Sequence, residues 1–279
     1  CRHTETSFEY GVEVTVQDAD GNRFSSYWWD ATPMLKDLNI KDCGEIAFKR
    51  AMSQIGPVKI ESGKYSMVIE SEVASRLVTP VLNALGGYSL QQKNSFMLDS
   101  LGKKMFPEWL NIWDRPVSVG ETGSRLFDSE GVATAEMPIV ENGVVKEYFV
   151  NTYMSRKMGV EATVEDATRP VVLPCFAPSV AEPVEATCGK EELMRIVGEG
   201  ILVTGFNGGN SNSATGDFSF GVEGFLFKDG KIVHPVREML ITGNLLTLWN
   251  NLLATGNDAR FCKSKLIPTL AFGNVDFSA

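Results

Sequence analysis

The residues able to do chemistry are few and far apart. The chain holds two histidines, His3 and His234. A zinc peptidase of the two-histidine kind needs the pair close together on one helix, with a glutamate as general base. Positions 3 and 234 cannot meet that spacing. The five cysteines, Cys1, Cys43, Cys175, Cys188 and Cys262, form no CxxC pair and no regular framework. That usage suits a reducing cytosol. No GxSxG elbow is present, and the run Gly205-Phe206-Asn207-Gly208-Gly209 is not one. A cysteine peptidase would need Cys262 or Cys175 beside a histidine, which only folding could arrange. Asp217 and Glu223 are a conceivable acid–base pair, but their even spacing says only that a strand would put them on one face. Residues 207–212 are rich in glycine and asparagine, yet GxxxxGK[ST] is absent, so a phosphate loop is excluded.

Charge removes further classes. Lys and Arg number 26 against 35 Asp and Glu, a net charge of −9. Such a chain has no electrostatic footprint for a phosphate backbone, so no nucleic-acid partner is expected. No run of eighteen apolar residues and no signal peptide is visible, so neither a membrane span nor export is expected, and the cytoplasm is the expected location. The chain opens on Cys1 rather than Met, so residues upstream are expected. Its length allows one large domain or two moderate ones.

Periodicity gives the elements that must position any site. Residues 8–16 and 23–29 read as two strands joined by the turn Asp18-Ala19-Asp20-Gly21-Asn22. Residues 41–55 form an amphipathic helix and 65–69 a short buried strand. Residues 71–85 are a second helix, which Pro80 should kink or break and Gly86-Gly87 should stop. Residues 131–149 are a hairpin around Glu141-Asn142-Gly143. A short helix follows at 153–158, strand plus loop at 163–185, a helix at 191–197 and a strand at 200–206. Residues 218–227 and 232–239 form a second hairpin around Asp229-Gly230. A helix at 244–253 and a closing strand at 266–272 complete the chain. Hairpins dominate, so the fold class is α+β, mostly antiparallel, barrel- or sandwich-like, with a few packed helices.

Several motifs occur in order toward the C-terminus. Residues 207–219, beginning Asn207-Gly208-Gly209-Asn210 and ending Asp217-Phe218-Ser219, are followed by Gly221-Val222-Glu223-Gly224-Phe225 and Pro235-Val236-Arg237-Glu238. Gly243-Asn244 and Thr255-Gly256-Asn257-Asp258 come next, and Ser124-Arg125-Leu126-Phe127-Asp128 lies upstream. This set resembles the TldD/PmbA (TldE) family, once labelled modulators of DNA gyrase. The resemblance implies two domains: residues 1–60 as the end of an upstream α/β portion, and 61–279 as a β-rich C-terminal domain. In that family the TldD type carries an HExxxH helix and a downstream cysteine as metal ligands, while the PmbA/TldE type lacks the helix motif. Here Thr79, Pro80 and Ala84 stand at the motif positions, and Cys262 falls in the region of the ligand cysteine. The resemblance therefore implies the metal-free subunit of a peptidase acting on small unfolded peptides. It would have no cofactor of its own, with zinc only in a TldD-type partner. The alternative is a homodimeric peptide-binding or scaffold protein, and a third reading is a hydrolase using Cys262.

Other expectations complete the picture. Asn210, Ser213, Asp217 and Ser219 could offer polar groups to a peptide, with the stretch before the hairpin read as a loop. Thr215-Gly216-Asp217 could equally be a turn that feeds a strand. Arg237-Glu238 is read as a buried pair fixing the sheet, His234 as a partly exposed strand residue, and Gly256-Asn257-Asp258 as a helix C-cap and turn. Cys262 alone is more simply a small buried hydrophobe. Trp28, Trp29, Trp109 and Trp113 suggest an interface, hence a dimer with itself or with the metal-bearing relative.

Overall fold

The computed structural model describes residues 2–180 and 188–279. The far end of the loop read at 163–185 lies outside them. Strands β1 (Phe8–Gln17) and β2 (Arg23–Thr32) pair antiparallel from Phe8↔Thr32 to Gln17↔Arg23. Asp18 closes their turn by accepting from the backbone N–H of Asp20 and Asn22 at 3.0 and 2.8 Å. Helix α1 (Cys43–Ser53) buries Cys43, Ala47 and Ala51, one stripe at a spacing of four. It packs on this hairpin.

Strand β3 (Gly63–Ile69) starts the larger unit, followed by α2 (Ser75–Ala84) and α3 (Gly87–Gln91). A small sheet follows from β4 (Ile112–Asp114), β5 (Met137–Glu141) and β6 (Val144–Val145). Helix α4 (Thr152–Met158) ends at Gly159 in the left-handed conformation, φ 69°. Strand β7 (Pro170–Val172) adds to β4. Then come β8 (Cys175–Phe176), α5 (Lys190–Val197) and the long strands β9 (Gly200–Ser211), β10 (Asp217–Lys228) and β11 (Lys231–Asn244). Helix α6 (Leu245–Asn250), β12 (Leu252–Thr255) and β13 (Leu270–Ser278) complete the chain.

The strand order β11-β10-β9-β3-β13 closes on itself because β11 also pairs with β13. The result is a five-stranded barrel-like sheet, with β12 and β8 continuing from β13. Alternation sorts the strand residues to two sides. Met67 and Ile69 of β3 and Ile201 and Val203 of β9 enter the main core with α2 and α6. Val68 and Leu202, between them, face outward and are covered by Leu193 and Met194 of α5. The fold is thus α+β and mostly antiparallel, as its hairpins suggest.

The Asn-Gly turn between β5 and β6 has a strict steric requirement. Asn142 and Gly143 both have positive φ, 51° and 75°, as a two-residue primed turn demands. A Cβ on Gly143 would sit 2.3 Å from the Phe106 carbonyl oxygen. Gly143→Val is therefore expected to destabilise the protein by more than about 2 kcal/mol through backbone strain and clash. A denaturant titration would check this, and an unchanged midpoint would refute it.

Several local readings need correction. Residues 71–74 are turns, so α2 begins four residues late, and it runs through Pro80 without breaking. Tertiary burial of Leu77, Val78, Val81 and Leu82 holds it together across the missing N–H. Helix α2 ends at Ala84 with Leu85 as its C-cap, while Gly86 caps the start of α3 and Gly87 is its first residue. Residues 207–211 are not loop but the end of β9, paired with β10 from Phe206↔Val222 out to Ser211↔Phe218. The helix read at 244–253 stops at Asn250 and the chain turns into β12. Gly256-Asn257-Asp258 therefore follows a strand rather than capping a helix. Asp258 there accepts from the N–H and hydroxyl of Thr269 at 2.7 and 2.6 Å. The closing strand begins at Leu270, not 266.

Arg237-Glu238 is not a buried pair. Strand β11 bulges here, because Val222 faces Met239 but Gly224 faces Val236. Two residues then oppose Glu223 alone. Glu238 is exposed with φ 58°, and Arg237 lies 3.7 Å from Glu223 and 5.0 Å above the Phe24 ring. The tryptophans are also used within the chain. Arg260 lies 4.2 Å from the Trp28 ring centre and 5.5 Å from that of Trp29. The Trp109 indole N–H donates to the Leu252 carbonyl at 3.3 Å. All four tryptophans are half-buried, so they do not form an open aromatic face.

Candidate functional site

Helix α2 presents one stripe away from the core. Arg76, Thr79, Pro80 and Asn83 recur at helical spacing and remain open or half-open, while their neighbours are buried. The stripe forms one side of a cleft of about 660 Å³. Phe96, Phe206 and Phe220 form an apolar wall, and Asn210, Ser211 and Ser213 form the rim. Phe206 and Phe220 meet edge to face, with ring centres 5.5 Å apart. Arg76 lies 5.0 Å above the Phe220 ring and donates to the Gly209 carbonyl at 2.7 Å. Pro80 has no N–H, so the Arg76 carbonyl lacks its normal α-helical donor.

The fold brings together five of the residues picked out from the sequence. Thr79, Pro80, Ala84, Asn210 and Ser213 all line this cleft. The remaining three lie outside its lining. Asp217 accepts from the Thr215 hydroxyl at 2.7 Å and the Asn244 amide at 3.0 Å. The Asn244 and Thr215 donors hold its carboxyl below the ordinary value. Its place is the turn that feeds β10. Ser219 sits on the exposed face of β10, opposite the buried Phe218 and Phe220. Cys262 is buried in a separate depression with Asp30, Thr32, Pro33 and Phe261.

Arg76 and the phenylalanine wall were not singled out by sequence reasoning. The stripe at positions 76, 79 or 80, and 83 could have revealed Arg76. Nothing local could have revealed the wall. Phe96 comes from the loop after α3 and the other two from β9 and β10, so only folding assembles it.

The cleft does not suit a catalytic metal. Zinc takes thiolate, imidazole or carboxylate. The α2 positions offer a threonine hydroxyl, a proline and an alanine. Among the described residues no group of three His, Cys, Asp or Glu could hold a metal ion. His234 is exposed on β11, and His3 lies in a depression with Arg125 and Ser129. Nucleophilic chemistry is equally poorly provided. Burial pushes the thiols of Cys175 and Cys262 above their ordinary values, disfavouring the reactive thiolate.

A second cleft of about 650 Å³ separates the β1–β2 hairpin from the barrel. Its floor carries Glu70, which is 4 % exposed. The Arg50 guanidinium donates to both Glu70 oxygens at 3.2 and 2.7 Å, and Lys190 donates at 2.6 Å. Glu72 accepts from Arg260 at 2.6 Å and pairs with Lys263 at 3.1 Å. These charges satisfy one another and tie the hairpin to the barrel. The α2 cleft, where the exposed Asn83 and Asn210 side chains have no partner within the protein among the described residues, is the better candidate for a ligand.

Comparison with known proteins gives the family. Residues 62–279 match the family described as the PmbA/TldA metallopeptidase C-terminal domain. A protein of Escherichia coli named metalloprotease PmbA is 30% identical over 263 residues, covering 91% of this chain and 56% of that protein. A metalloprotease PmbA homolog of Haemophilus influenzae is 35% identical over 215 residues, covering 77% of this chain and 46% of its own. The chain thus spans about half the length of these curated relatives. A crystal structure from Bacteroides thetaiotaomicron, named a modulator of DNA gyrase, is 42% identical with a TM-score of 0.91, covering 98% of this chain and 60% of that one. On the matched domain, the identity and the superposition together, the chain belongs to the PmbA/TldD metallopeptidase family.

Proposed function

We propose that this chain is the metal-free subunit of a two-component peptidase of the TldD/TldE type, and that its α2 cleft holds peptide next to the partner's metal. The observation that carries the reading is the donor set of α2. In a chain whose relatives are named metalloproteases, Thr79, Pro80 and Ala84, read as the positions of the family's metal ligands and base, bring only a hydroxyl, a ring and a methyl group. Zinc belongs to the partner alone. Asn83, Asn210 and Ser213 supply hydrogen-bonding groups for a peptide backbone, and the phenylalanine wall keeps water from it. Backbone-directed contacts grip peptides with little sequence preference. The assembly is a heterodimer with a TldD-type subunit in the cytoplasm.

The test is co-expression with a relative that carries HExxxH, followed by metal analysis and a peptide-cleavage assay. The isolated chain is expected to carry no zinc, and the complex one zinc per pair together with turnover. Stoichiometric zinc on the isolated chain would overturn the reading. So would a partner whose activity is the same with and without this subunit.

A further inference from the structure

We propose that the α2 cleft receives the carboxyl end of a peptide, with Arg76 taking the terminal carboxylate and the phenylalanine wall the last side chain. This rests on the peptide-binding reading above and adds which end of the substrate is held and by what.

Charge is the first argument. The chain carries nine more acids than bases, a net −9, yet among the described residues no Asp or Glu lines this cleft. Among the described residues Arg76 is the one charged side chain in its lining. The other cleft has four carboxylates, Glu13, Glu70, Glu72 and Glu223, in its lining. The α2 cleft is therefore suited to an anion, on a protein of net negative charge.

The state of Arg76 is the second argument. It forms no ion pair among the described residues, and its one hydrogen bond goes to the Gly209 carbonyl. Most of its five N–H donors are left for a ligand. Contact with the Phe220 face and the Gly209 bond fix the guanidinium, so little side-chain freedom remains to be lost on binding. A planar fork matches a carboxylate with two parallel hydrogen bonds.

The surroundings decide which anion. Phe96, Phe206 and Phe220 make an apolar surface beside Arg76, while Lys265, outside the lining, is occupied in donating to the Thr79 hydroxyl at 2.9 Å. A phosphate group carries more charge and no apolar portion to lay on that wall. A peptide's last residue supplies one carboxylate and one side chain from the same carbon. Asn83 and Asn210 have no side-chain hydrogen bond within the protein among the described residues, and both line the cleft. They can pair with the preceding peptide groups.

Fluorescein-labelled Ala-Ala-Ala-Ala-Leu, as free acid and as C-terminal amide, is titrated with the full chain by fluorescence anisotropy. The acid is expected to bind at least about tenfold more tightly, the scale of one charge-assisted contact. Arg76→Gln should erase the difference while the protein stays folded, its melting temperature falling by no more than the Gly209 bond and the Phe220 contact contribute. Arg76→Lys should restore part of it. In the unaltered protein, ending the peptide in Gly instead of Leu should weaken binding of the acid. Equal affinity for acid and amide overturns this inference and leaves the general peptide reading standing. Discrimination that survives in Arg76→Gln also overturns the role given to Arg76. Failure of both peptides to bind overturns both readings.

Discussion

Replacing Trp249 by alanine is expected to lower the stability of the protein by roughly 3 to 5 kcal/mol. The side chain is 0% exposed. Its ring meets Phe106 and Phe272 edge to face, at 6.4 and 5.5 Å between centres. Its indole N–H donates to the Leu77 carbonyl at 3.3 Å. The substitution opens a cavity where α6, the barrel and α2 meet, and it removes the indole hydrogen bond that ties α6 to α2. A typical domain has about 5 to 15 kcal/mol in total, so the loss is a large share of the margin. Calorimetry should show a melting temperature lower by about 10 °C. Trp249→Phe should cost less, since it keeps an aromatic contact and loses mainly the hydrogen bond. Because Leu77 lies on α2, the alanine variant should also weaken peptide binding in the cleft. A melting temperature within a degree of the original would refute the packing argument.

Glu70→Gln is expected to cost about 2 to 3 kcal/mol at neutral pH and to remove an acid-sensitive part of the stability. Burial by itself would raise the Glu70 carboxyl. The hydrogen bonds and charges of Arg50 and Lys190 outweigh that and hold it below its ordinary value of 4.5. A carboxyl depressed in the folded state adds stability above its unfolded pKa. That stability is lost as the pH falls from about 4.5 through the lower folded value. Removing one member of a buried charge cluster typically costs about 3 to 5 kcal/mol. The figure here is smaller because Arg50 and Lys190, 22% and 32% exposed, can regain water. Urea midpoints measured between pH 7 and pH 3 should converge for the two proteins at the acid end. Parallel curves over the whole range would show that Glu70 carries no such linkage.

The consequence of that cluster is positional. Glu70 ends the run from β3, and its carbonyl accepts from the N–H of Val73 and Ala74 at 2.9 Å each. The turns leading into α2 are thus built on the residue that Arg50 and Lys190 fix. The cluster that holds the hairpin on the barrel also sets where the candidate site's helix begins.

Local signals in the sequence determined much of this protein. The Asn-Gly and Asp-Gly turns specified two hairpins, because positive φ at those positions is a local steric matter. The apolar period of 3.6 located α2, and the residue types at 79, 80 and 84 offer zinc no thiolate, imidazole or carboxylate, a matter of donor chemistry that needs no coordinates. Tertiary structure alone decided the rest. The parallel pairing of β3 with β9, Met67↔Ile201 through Ile69↔Val203, joins strands more than 130 residues apart. It has no turn to announce it. Barrel closure through β11 and β13 likewise depends on register and twist rather than on any short motif. Residues 207–211 looked like loop because glycine has a weak strand preference; pairing with β10 overrode that. The same pairing brought Phe206 and Phe220 together and placed Gly209 under Arg76. An exposed arginine on a helix thereby came to lie against the aromatic wall of a cleft.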